Sequence, residues 1–168
     1  MKPSQAILLL SAFTVGGLFQ SVAQGILPVV TVTAVNYKFL KSVDNKDVAQ
    51  PVKLVQLRAA AFDVKNSDFY EDDYDDYYIS FIIPEGSVLA AYDKDGKLLR
   101  TIEKFKNIAI PSAVRESVAK RFPGWSIAKD VYLVNYEDSK ESKKVYKLLL
   151  ENGDQRLRVK TDGNGEFI

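Results

Sequence analysis

Four short glycine-bearing turns, each between two runs of strand-forming residues, constrain this chain more than any other feature. They are Pro84-Glu85-Gly86, Asp93-Lys94-Asp95-Gly96, Asn152-Gly153 and Asp162-Gly163-Asn164-Gly165. A connection that short cannot carry a crossover to a parallel neighbour, so it returns the chain antiparallel beside itself. Asp-Gly, Glu-Gly and Asn-Gly supply the positive φ such turns require. Tyr77 to Ile83, Ser87 to Tyr92 and Lys97 to Glu103 therefore read as one meander. Val145 to Glu151, Gln155 to Thr161 and Glu166 to Ile168 read as a second.

Between the meanders, Trp125 to Tyr136 reads as a longer strand. Alternation places Val131, Leu133 and Asn135 on one face, and Tyr132, Val134 and Tyr136 on the other. Two helices complete the pattern. Pro51 opens a stripe of Val55, Ala59 and Phe62, and Ile110-Pro111 opens one of Val114, Val118 and Phe122. Pro123-Gly124 stops the second helix. Upstream, β-branched Val29 to Val35 reads as a strand, Ser42 to Gln50 as a polar turn, and Asn66 to Asp76 as an acidic, Tyr-rich connection.

The two halves overlay. Tyr78-Ile79-Ser80-Phe81 lies over Tyr146-Lys147-Leu148-Leu149, and the segment from Asp93 to Leu99 over that from Asp162 to Ile168. The expected fold class is α+β, a duplicated unit of one helix on a curved antiparallel meander.

The N-terminus reads as an address. Lys2 precedes an apolar run from Ala6 to Phe19, and the segment exits through Ser21-Val22-Ala23. A charged start, a short apolar middle and a small-x-small exit describe a secretory signal, with cleavage expected after Ala23. The run falls short of the roughly 20 apolar residues of a membrane span, so no stable insertion is expected once it is removed. The chain then divides into residues 1–23 (signal), 24–106 (N-terminal strand, helix and first meander) and 107–168 (second half), and the location expected is the periplasm or the exterior.

Composition narrows the chemistry. Among 168 residues there is no Cys and no His. Disulfides, thiolate nucleophiles, Ser-His pairs and His-ligated metals are therefore out of reach. No Gly-rich phosphate loop follows a strand. A paired-carboxylate hydrolase remains chemically possible, but a short meander offers it little cleft, so the expectation is a protein that is not an enzyme and needs no cofactor. With 23 basic and 22 acidic side chains, the chain has no net field to draw nucleic acid.

The chain over roughly residues 75–168, and best over 107–168, resembles the PepSY-like, or β-lactamase-inhibitor-protein-like, family of small exported bacterial proteins. The resemblance rests on Ile110-Pro111, on Arg121-Phe122-Pro123 leading into Trp125-Ser126-Ile127, on the Tyr146 strand, on Asn152-Gly153 and on the closing Asp162-x-x-Gly165 turn. It implies a helix packed on a curved sheet, repeated once, in the periplasm or outside the cell, in a family whose members share no agreed enzymatic activity. It carries over no site residues, and the stretch from Pro28 to Tyr74 departs from it.

Candidate sites follow from side-chain type. Six carboxylates fall within the nine residues Asp68 to Asp76. Tyr70, Asp72, Asp73, Tyr74, Asp75 and Asp76 form either a recognition surface for a basic protein or peptide of the cell envelope, or a solvated, self-repelling loop. Asp72, Asp73, Asp75 and Asp76 are also the candidates for calcium, although they lack the Gly-turned ligand order of a calcium loop. Trp125 either seals the helix on the sheet or binds a partner. Tyr132 and Tyr136, with Tyr146, either line a binding face or fill the core. Arg156, Arg158 and Lys160 share one face of a strand, where cations protect an edge from aggregation or hold an acidic ligand.

Overall fold

The computed structural model describes residues 36–44 and 47–168. The expected signal segment and the Val29 to Val35 strand lie outside the described residues. Three of the four turns join fully paired strands, and the one at Gly86 does so without the expected positive φ. β1 (Asp76–Ile83), β2 (Gly86–Asp93), β3 (Leu98–Lys106), β4 (Ser126–Glu137), β5 (Lys143–Asn152) and β6 (Gln155–Thr161) form one antiparallel sheet in chain order. β1 and β6 are its edges, so the sheet is open. Glu166 to Ile168, expected as a further strand, contributes a single bridge between Phe167 and Thr161.

The sheet crosses the midpoint of the chain without a break, because β3 pairs with β4 from Arg100↔Glu137 to Lys106↔Val131. The halves therefore share one sheet. Around it the order is helix then three strands, twice: α2 (Gln50–Ala61) precedes β1 to β3, and α3 (Ser112–Arg121) precedes β4 to β6. Asp93 and Asp162 build equivalent turns. The Asp93 carboxylate accepts from the amides of Asp95 and Lys97, and the Asp162 carboxylate from those of Asn164 and Glu166, all at 2.8–2.9 Å. These matched turns follow β2 in one half and β6 in the other, so the sequence overlay runs one strand out of step with the element order.

A third helix, α1 (Tyr37–Val43), occupies ground where the sequence pattern announced none, and it reaches into the expected polar turn. It is held by packing. Phe39 and Val43 are buried, and the Phe39 ring meets Tyr136 edge-on at 5.1 Å. Burying a side chain of that size contributes about 2 kcal/mol, enough to order a helix too short to form alone.

All three helices lie over one face of the sheet. Val52, Val55, Ala59 and Ala60 of α2, and Val114 and Val118 of α3, pack on Tyr77, Val88, Tyr92, Phe105, Val134 and Leu148. Alternation then sends the other side chains of every strand to the outer, uncovered face.

Candidate binding surfaces

Tyr132 and Tyr136 belong to the inner face. They are 0% and 3% exposed, and Tyr146 is likewise buried at 0%, so these rings fill the core and present nothing to a partner. This corrects their reading as a binding face: the face carrying the rings is the one the helices cover. Trp125 is half-buried and packs on the same core, as a seal at the end of α3.

The acidic connection is exposed and anchored. Asp72, Asp73, Tyr74, Asp75 and Asp76 lie at the surface, and Tyr70 is half-buried. Phe69 stacks on Phe62 at 6.1 Å, Tyr70 stacks on Tyr77 at 5.5 Å, and Tyr74 meets Tyr77 edge-on at 6.2 Å. The Tyr77 hydroxyl donates to the Glu71 carbonyl. Asp72 accepts from the Tyr70 hydroxyl and pushes its pKa up. The segment is thus a ridge stapled to Tyr77 of β1 by two aromatic contacts and to Phe62 at the end of α2 by a third, not a loose loop. Among the described residues no group of three or more acidic side chains is placed to hold a metal ion, so the geometry gives the calcium reading no support.

The outer face of β3 to β6 is strongly basic, which the near-zero net charge conceals. Register sets Lys106, Lys147 and Lys160 in one row across β3, β5 and β6, with Val131 of β4 between the first two. Lys129, Leu149 and Arg158 make the next row. Arg100 and Lys104 of β3, Lys143 of β5 and Arg156 of β6 extend the patch. The acidic side chains on this face are Glu137 and Glu151, engaged with Lys140 at 2.8 Å and Arg156 at 3.0 Å. Lys129, Lys147, Arg158 and Lys160 surround a groove of about 410 Å³ with Val131 and Leu149 in its floor. None of these four cations has an ion-pair partner among the described residues.

The alternation of Arg156, Arg158 and Lys160 was the visible corner of this surface. The rest was hidden because Lys104, Lys129 and Lys147 lie far apart in the chain. Only the strand register brings them together.

Beneath the sheet, Glu103 is a buried carboxylate, 1% exposed. Gln56 of α2 donates to it at 2.7 Å and Thr101 at 2.9 Å. Burial outweighs these bonds and raises its pKa to about 7. Enclosed by the core, it is out of reach of any substrate, and its role is to tie α2 to β3. Lys144, half-buried nearby, has its pKa lowered by the same desolvation. The chain matches no known family model, no curated protein and no solved structure.

Proposed function

We propose that this protein is an exported, non-enzymatic binding module of the PepSY-like type, built from a duplicated helix-on-sheet unit, that engages a protein or peptide through the acidic ridge Asp68 to Asp76. The observation that carries the reading is the anchoring of that ridge. Three aromatic contacts hold six carboxylates and the Tyr74 ring on the rim of a rigid sheet. Ordering the ridge before contact lowers the entropic cost of binding, and the carboxylates steer a cationic partner. The lack of His and Cys fits action by contact rather than by proton or thiol chemistry.

The duplication is supported by the matched Asp93 and Asp162 turns. In the overlay that matches those turns, β1 corresponds to β5, and the acidic ridge stands where the second half has β4. Surface recognition has then replaced a strand in the first half. Export rests on the N-terminal pattern of residues 1–23.

Two measurements test the reading. The purified protein, immobilised, captures an envelope protein at low salt and releases it at high salt, whereas the D72N/D73N/D75N/D76N variant captures none; equal capture by the variant overturns the ridge. N-terminal sequencing of the protein from the producing cell starts at Gln24, and an intact leader on cytosolic protein overturns export.

A further inference from the structure

The basic outer face has a complementary surface on the same molecule. The ridge carries six carboxylates at the β1 edge. The unpaired cations Lys129, Lys147, Arg158 and Lys160 cluster toward the β6 edge. Six strands about 4.8 Å apart separate those edges by roughly 24 Å. The two surfaces also lie on opposite sides of the sheet. The ridge is stapled through Phe62 and Tyr77, both packed with the core on the helix side, while the cations are on the uncovered side. One molecule cannot bring them into contact. Two molecules can.

We infer that the groove over Val131 and Leu149 is a docking site for the acidic ridge of a second copy of this chain, which assembles the protein head to tail. The inference rests on the ridge being a recognition surface and names its partner. Charge complementarity selects the occupant. A row of cations spaced by strand register meets a ridge with four carboxylates from Asp72 to Asp76. The aliphatic floor receives the Tyr74 ring, 52% exposed at the crest. Each copy keeps a free ridge at one end and a free groove at the other, so the contact is heterologous and does not close on two copies. Attraction between exposed charges falls as salt shortens its range, so assembly is a low-salt property.

The test uses sedimentation velocity of the purified protein, with circular dichroism confirming that each variant folds. At low ionic strength the wild type sediments faster as concentration rises, passing beyond a dimer, and returns to a monomer in 1 M salt, where screening reaches about 3 Å. D72K/D73K/D75K/D76K and K129E/K147E/R158E/K160E each remain monomeric alone. Mixed in equal amounts they associate again, because each reversed ridge then faces a groove of opposite sign. A wild type that stays monomeric at low salt overturns the inference, as does a mixture that fails to associate. So does a monomer that binds vesicles of phosphatidylglycerol through the groove, which would assign this face to an anionic membrane. Capture of a different, basic protein by the ridge of a strictly monomeric wild type rejects the self-docking and leaves the ridge's recognition role standing.

Discussion

Tyr132 stacks on Tyr146 across β4 and β5, with ring centroids 4.4 Å apart, and neither buried hydroxyl makes a hydrogen bond. The two oxygens sit close enough to influence one another, but without hydrogen-bond geometry, and burial raises both pKa values. A buried hydroxyl with no partner costs about 1–3 kcal/mol of desolvation. Tyr132→Phe and Tyr146→Phe should therefore each raise stability, by about 1 kcal/mol in urea unfolding. Tyr132→Ala empties the stack and should lose about 3–5 kcal/mol. A Phe variant that destabilises the protein would mean the hydroxyl has a partner inside the core.

Glu103 makes stability depend on pH in a definite direction. Its native pKa is about 7 against an ordinary 4.5, because burial penalises the charged form. Below 4.5 the folded and unfolded chains both hold the proton, and the contribution is complete. As pH rises toward 7 the unfolded chain releases its proton and the native one keeps it, so stability falls across that window. The fall is at most about 3 kcal/mol. Urea midpoints from pH 4 to 8 should show the decline in the wild type and lose it in Glu103→Gln. The variant should be the more stable protein at pH 8 and little changed at pH 4; parallel profiles would exclude Glu103 as the source. Asp138 acts in a different window. Hydrogen bonds from Lys97 and Lys38 hold its pKa at about 2, so its contribution is present above 3.8 and fades as pH falls through 2.

Gly86 opens β2 where the strand passes close to β3. A Cβ there would lie 2.0 Å from the Lys104 carbonyl oxygen and 2.8 Å from the Phe105 Cα. Both are backbone atoms in a paired strand, so the clash cannot be relieved by a side-chain rotation. Gly86→Ala should cost about 3 kcal/mol or more, on the scale of the larger strain effects, and lower the melting temperature accordingly. Gly96→Ala is the contrasting variant. A Cβ at Gly96 meets nothing within 4 Å, and its cost is the positive φ of 79° alone. That loss should be about 1 kcal/mol. Equal losses at the two positions would remove the close approach as the cause.

The strands were legible because their punctuation is local. A Gly with positive φ at positions 96, 153 and 165 is read from two or three neighbouring residues, and alternation along Trp125 to Tyr136 assigned the faces correctly. The surfaces were less legible because they depend on which face the helices cover. Tyr132 and Tyr136 alternate in the same way whether that face is wet or dry. Lys106, Val131, Lys147 and Lys160 join one row only once three strand registers are known. Glu103 sits between Ile102 and Lys104 in a strand whose charged residues otherwise face solvent, and nothing nearby in sequence marks it as buried. Its partner Gln56 is 47 residues away.

Asn36 shows the same limit and yields the last prediction. Its side chain is fully engaged across three elements that are distant in sequence. The amide nitrogen donates to the Ala60 carbonyl at the end of α2 at 3.1 Å and to the Gly96 carbonyl at 3.2 Å. The amide oxygen accepts from the Leu98 backbone at 2.7 Å. The residue is 1% exposed, and removing its amide leaves the buried Ala60 carbonyl and Leu98 N–H without that partner, and the part-buried Gly96 carbonyl as well. Each buried group left unpaired costs about 1–3 kcal/mol, and Asn36→Ala should lose about 2 kcal/mol or more in total. Asn36→Asp isolates one half of the clamp, because a carboxylate still accepts from Leu98 but repels both carbonyls. It should be as damaging as alanine at neutral pH and partly recover in acid, as the protonated carboxyl regains a donor. Hydrogen exchange gives a local reading of the same event. Because Asn36 also starts α1, the amides of Tyr37 to Val43 should lose protection in either variant while those of β5 keep theirs. Uniform loss across the sheet would instead mean that α1 and the strands open as a single unit.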